Sequence, residues 1–193
     1  MVFKKIATVF FLFIISVSVS AQNSLEAYYK SIQANEPSVE NPYGLRNPKA
    51  PDALSEFDFM LGECHCTDSV TNADGTYRVY PSIWKAKYML NGHAIQDNNF
   101  NPINPTTNLR MYDAAAKLWK VTYLQSANGY FTGVWEGNLD DNGDMVLERK
   151  QNGSTSRLVF YNISDKGYAW KSESIGPDEK VTRRWKKDCV RQK

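Results

Sequence analysis

The chain reads as all-β, an up-and-down antiparallel β-barrel of about nine or ten strands behind a short N-terminal helix and a proline-rich arm. Two observations predict it. Beyond Gly62, turn signals recur at short intervals: Asn72 to Gly75, Asn91-Gly92, Asp113 to Ala116, Asn128-Gly129, Asp140 to Gly143, Asn152-Gly153, Asp165 to Gly167 and Gly176 to Asp178. Several carry the residues that a positive φ requires. The segments between them are short and rich in Tyr, Trp, Val, Thr and Phe, which leaves room for hairpins but none for parallel crossovers. A meander of that many strands is left with two open edges unless it closes on itself.

Residues 1–21 place Lys4 and Lys5 ahead of an apolar run, Ile6 to Ile15, and a small-residue stretch, Ser16 to Ala21. That order predicts a secretory signal peptide cut after about Ala21. The apolar run is short for a membrane span, and no later stretch reaches the roughly 20 apolar residues one needs. An exported protein, periplasmic or secreted, is expected. The whole chain has 23 Lys and Arg against 21 Asp and Glu, and losing Lys4 and Lys5 would balance the two. A neutral chain has no general field to gather nucleic acid or anionic lipid, so neither is an expected partner. The basic tail of Lys180, Arg183, Arg184, Lys186, Lys187, Arg191 and Lys193 is interleaved with acids and reads as a solvated strand and terminus.

Residues 22–51 form the arm region. Ser24 can cap a helix that carries Leu25, Tyr28, Tyr29 and Ile32 at helical spacing. From 37 to 51 four prolines and Gly44 resist both helix and sheet. This segment is expected to be extended and ordered only where it crosses the barrel. Residues 52–193 are the barrel domain. It opens with Asp52 capping a helical turn through Glu56, followed by Phe57, Phe59, Leu61 and Gly62 at the entry to the first strand.

Alternation assigns the inner faces. Trp119, Val121 and Tyr123 share one face of their strand. Phe131, Gly133 and Trp135 group likewise, as do Leu158 and Phe160, Tyr168 and Trp170, and Val181, Arg183 and Trp185. Arg183 is unexpected on such a face, because a buried guanidinium needs an acceptor or an aromatic partner. A bulge of one residue would hand the inner role to Arg184.

Three cysteines in an oxidising compartment allow one intramolecular disulfide. Cys64 and Cys66 stand two apart on one strand face, badly placed to pair with each other. Cys189 is therefore expected to bridge Cys64 or Cys66, joining the last strand to the first.

The pattern Glu56 to Glu63, Asp74-Gly75-Thr76, Trp84, Tyr88, Leu90-Asn91-Gly92 to Asp97, Arg110 to Asp113, Trp119, Gly133-Val134-Trp135, Gly137 and Arg184-Trp185 resembles the DUF1579 family. That family comprises uncharacterised bacterial calycin-like barrels, similar in fold to lipocalins and nitrobindin-like proteins. The resemblance spans roughly Pro51 to Asp188 and implies a ligand-binding barrel. Calycin barrels carry Gly-x-Trp on the first strand, with an arginine of the last strand over the Trp. Cys64 stands at the Trp position here, and the resemblance leaves Arg183 or Arg184 for the arginine, with the disulfide in place of the aromatic plug. Nitrobindin-like relatives hold haem through a late histidine, and no histidine follows His93. No cofactor is therefore expected.

Cys64-His65-Cys66 suggests zinc, but alternation turns His65 away from the cysteines, and no metal site is assigned. No nucleophile elbow, His-Glu-x-x-His or phosphate loop occurs, and no catalytic residue is assigned. The expected ligand is a small hydrophobic or amphipathic molecule. Its candidate binding residues are Tyr88, Gln96, Asp97, Arg110, Tyr123, Trp135, Trp170 and Arg183. A monomer or weak dimer is expected. Two alternatives are an enzyme of hydrolase or isomerase type using Asp97 with His65 or His93, and a non-catalytic envelope interaction protein presenting the helix and arm. The aromatic set could also simply fill the barrel.

Overall fold

The computed structural model describes residues 22, 24–126 and 130–192; the expected leader at 1–21, the Asn128-Gly129 turn and Lys193 lie outside them. The chain divides into two units, one up to Ala34 and one of Asn35–Lys193. In the first, an α-helix runs over 24–32, supported by the Glu26–Lys30 pair at i,i+4. Its Leu25, Tyr28, Tyr29 and Ile32 side chains are exposed.

The second unit is a closed antiparallel barrel of ten strands, the upper of the expected counts. In chain order these are β1 (Gly62–Thr71), β2 (Tyr77–Met89), β3 (Ala94–Phe100), β4 (Thr106–Asp113) and β5 (Leu118–Gln125). β6 (Tyr130–Leu139), β7 (Met145–Gln151), β8 (Ser154–Ser164), β9 (Gly167–Ile175) and β10 (Val181–Arg191) complete it. Each strand pairs with its neighbour in sequence, and β10 closes on β1. No helix among the described residues is long and apolar enough to cross a membrane.

Closure is locked covalently. Cys66 and Cys189 sit opposite each other in the β1–β10 register and form the disulfide. Cys64 is the free thiol, buried and held above its ordinary pKa chiefly by that burial.

One end of the barrel is plugged by a 3-10 helix, Asp52–Met60, longer than the single turn expected, with Pro51 at its N-cap and no side-chain cap. Asp52 instead bonds Arg46. Leu54, Phe57 and Met60 are fully buried. Phe57 packs edge-on against Trp119 at 4.6 Å and Phe160 at 5.7 Å, while Glu56 accepts a hydrogen bond from the Trp119 indole. The arginine beside Cys64 is Arg191, which faces it in the register and donates to the Leu61 and Phe59 carbonyl oxygens. It occupies the place that the resemblance had left to Arg183 or Arg184.

The proline-rich arm is tied to this same end. Tyr88 donates its backbone N–H to Tyr43, and Asn47 donates to Gly92. Asn35 and Asn47 also bond Asn91 through their side-chain amides. Gly92 has φ +79°, and a Cβ there would stand 2.3 Å from the Leu45 carbonyl oxygen. Only glycine lets the arm lie this close.

The phase of β10 departs from strict alternation. The register with β9 shifts between Arg183 and Trp185, so Arg183 and Arg184 are both exposed while Trp185, Lys187 and Cys189 follow the inner phase. Val181 and Phe131, expected inside, are exposed near the rim. The other inner sets hold: Trp119, Val121, Trp135, Phe160, Tyr168 and Trp170 are buried.

Candidate functional site

Beyond the plug, the inner phase of the strands changes from apolar to polar. On β3, Ile95 is followed two residues later by Asp97 and then Asn99; on β4, Asn108 precedes Arg110; on β1, Cys64 and Cys66 lead to Asp68. All of these polar side chains are buried. They are arranged as two separate charged clusters.

Asp97 is the centre of the first. Its carboxylate accepts from the Trp84 indole at 2.7 Å, from Asn108 at 2.7 Å and from Arg110 through Nε at 2.8 Å and Nη2 at 2.7 Å. The Arg110 guanidinium lies over the Phe57 ring at 4.7 Å and the Phe160 ring at 5.2 Å. A buried guanidinium is tolerable only with such neighbours, a carboxylate on one edge and π-faces beside it. Its Nη1, however, is buried and has no hydrogen-bond partner.

The second cluster joins β1 to β10. Lys187 pairs with Asp68, with Asn99 Oδ1 at 3.3 Å and Ser82 Oγ at 3.5 Å also near its ammonium. Asp68 further accepts from the Trp185 indole at 2.6 Å and from the Ser82 hydroxyl. Three indole rings surround the ammonium, those of Trp185 at 4.6 Å, Trp84 at 5.5 Å and Trp170 at 5.9 Å. Burial lowers the Lys187 pKa, and Asp68 works against that shift. Nearby, burial and then the Asp68 charge push the Tyr80 phenol up to about 12.

Between the clusters and the rim the barrel is hollow, with a cavity of about 260 Å³. Six aromatic side chains line it: Trp84, Tyr123, Trp135, Phe160, Trp170 and Trp185. Arg110, Lys187 and Arg149 bring positive charge to it, and Asn99, Thr106, Asn108, Ser156 and Ser172 supply neutral polar groups. Arg149 lies over the Trp135 ring at 4.4 Å. Gly133, with φ +101°, leaves room beside it, where a Cβ would come 3.3 Å from Arg149 Nη1.

Of the residues expected to bind ligand, Arg110, Tyr123, Trp135 and Trp170 line this cavity. Asp97 is buried behind it as the partner of Arg110. Tyr88 is buried but turned to the plugged end, where its hydroxyl bonds Asp58. Gln96 is out of phase with Asp97 and bonds Thr107. Arg183 is carried outside by the β10 bulge, and Arg184 lines only a groove at the rim, with Arg149 and Glu173 among its neighbours. The sequence reading missed Asp68, Asn99, Asn108, Arg149 and Lys187. Continuing the two-residue alternation from Cys66, Asp97, Arg110, Leu147 and Cys189 would have found each of them.

His65 is exposed and bonds Glu63, and His93 is exposed as well. Neither lies on the inner phase with Asp97, whose two oxygens are already engaged. The combination of Asp97 with a histidine that the enzyme alternative requires is therefore not assembled.

No protein-family model matches the chain, and no curated protein matches it either. Among solved structures, it is similar to the S-type phycobiliprotein lyase CPES from Guillardia theta, with a TM-score of 0.48 and 14% identity over 71% of this chain and 90% of that one.

Proposed function

We propose that the protein is an exported carrier or sensor that holds one small hydrophobic or amphipathic molecule inside the barrel. The observation that carries this is the cavity itself. An interior sealed at one end by the helix, the arm and Arg191 is left hollow at the other, lined by aromatic rings and by polar groups placed among them. Filling that space with leucine or phenylalanine side chains would cost nothing in strand geometry, whereas keeping it hollow forfeits packing energy. At about 260 Å³ it is small, near the lower limit of ordinary ligand pockets. Export fits the Cys66–Cys189 bridge, since disulfides persist outside the reducing cytosol. Membership of the DUF1579 family is part of the same proposal.

A thermal-unfolding screen against small aromatic and short-chain amphipathic molecules tests this reading. A molecule that binds only the folded barrel raises the midpoint and changes the emission of the tryptophans that line the cavity. If no molecule of that size shifts either signal, the binding reading falls.

A further inference from the structure

The charged groups on the inner face do not balance. Asp68 is matched by Lys187 and Asp97 by Arg110. Arg149 has no ion pair among the described residues and lines the same cavity. Glu173, near it in the rim groove, is itself paired with Lys171 at 2.8 Å.

The unmet donors point the same way. Arg110 Nη1 and Arg149 Nε are both buried N–H groups with no hydrogen-bond partner, although Arg110 is only 2% exposed. An unsatisfied buried donor is costly, and more so when it carries charge. An unpaired guanidinium on the wall of the cavity, one positive charge in excess, describes half of an ionic contact whose other half comes from outside the chain.

We propose that the ligand is a small organic carboxylate. This rests on the binding reading above and adds the head group. The carboxylate pairs with the Arg149 guanidinium on the cavity wall, as guanidinium forks match two-oxygen anions. The apolar body lies against Trp84, Trp170 and Trp185. Arginine already stacked on Trp135 and housed by Gly133 is pre-oriented, so little side-chain freedom is lost on binding. A neutral molecule of the same shape would fill the walls and leave the Arg149 charge unmet.

The test is a calorimetric titration of the whole protein with 2-naphthoic acid and with 2-naphthamide, its uncharged counterpart. The acid is expected to bind more than about tenfold tighter than the amide, and Arg149→Met is expected to remove that preference by weakening the acid. Arg149→Lys, which keeps the charge and loses the fork, is expected to fall between them. The unfolding midpoint of Arg149→Met, measured alongside, shows that the barrel is intact. Equal binding of acid and amide, or a preference that survives Arg149→Met, overturns the carboxylate and leaves the binding barrel standing. Binding of neither, in a folded protein, overturns both.

Discussion

Around the plug, helix and strand side chains fill the interior by touching one another: Phe57 on Trp119 and Phe160, Phe59 on Tyr168, with Arg191 on the Phe59 and Leu61 carbonyls. Toward the rim the same phase carries Asn99, Arg149, Ser156, Ser172 and Lys187 around open space. The two regions share strands, twist and aromatic content, and differ in whether the chain supplies its own filling. Stability is concentrated where the interior is packed and bridged, and recognition where it is charged and hollow. Trp84 belongs to both, packing on Phe160 and Tyr168 while bonding Asp97 and facing the cavity.

Breaking the covalent closure gives the largest expected effect. Replacing Cys66 and Cys189 by alanine opens a loop of 123 residues, and chain entropy sets the loss at about 4–5 kcal/mol at most. Denaturant titration measures it. Phe57→Ala, at the centre of the plug, is expected to cost about 4 kcal/mol through the void it leaves. Either change should leave ligand affinity nearly unaltered. A large loss of affinity in the folded variants would merge the two regions into one.

Asp97→Asn tests the boundary between them. It leaves Arg110 as a buried cation without its counter-ion, for an expected loss of about 3 kcal/mol. Arg110→Met, read in the same denaturation series, should cost a similar amount by stranding Asp97.

Alkaline pH gives a smaller and more gradual effect. Burial raises the phenols of Tyr88, Tyr123 and Tyr168 above 10.0, and that of Tyr80 to about 12. The unfolded chain loses these protons near the ordinary value while the folded chain keeps them, so the unfolded state binds fewer protons and stability falls as pH rises past 10. Lys187 acts in the opposite sense below 10.5: its lowered value lets the folded state shed a proton first, which raises stability with pH. Tyr168→Phe is expected to flatten the alkaline decline in the denaturation midpoint, and an unchanged decline would remove Tyr168 from the account.

Much of the packed region was legible because its signals are local. Turn dipeptides such as Asn91-Gly92 and Asn152-Gly153 mark hairpins by the positive φ they allow, two-residue alternation found Trp119, Val121 and Trp170, and closure of the barrel gave Cys189 its pairing strand. The charged region was legible only in part: Asp97 and Arg110 stood out and do meet, while β10 was misread. Trp185-Lys186-Lys187-Asp188 looks like a solvated basic tail, although Lys187 keeps the phase of Trp185 and Cys189, and nothing in Thr182-Arg183-Arg184 announces the bulge that carries Arg183 outward. A single inserted residue exchanges the faces of all that precedes it. Asp68 was hidden differently, because a carboxylate on an inner face is credible only once Lys187 and Trp185 are known to meet it. Polar residues that satisfy one another across strands far apart in sequence leave no periodic trace beyond their position.

The central claim is that the hollow half of the barrel, and not its surface or its plug, receives the ligand. Ser172 lines the cavity between Leu158 on β8 and Trp185 on β10, so Ser172→Phe would place a ring in the open space beside Trp185 while leaving every charged group of both clusters in place. Titration of that variant with 2-naphthoic acid and 2-naphthamide is the most direct measurement. The account predicts that binding of whichever probe the parent protein accepts falls by more than about tenfold, with an unfolding midpoint equal to the parent's or higher. Undiminished affinity in the filled barrel would contradict it.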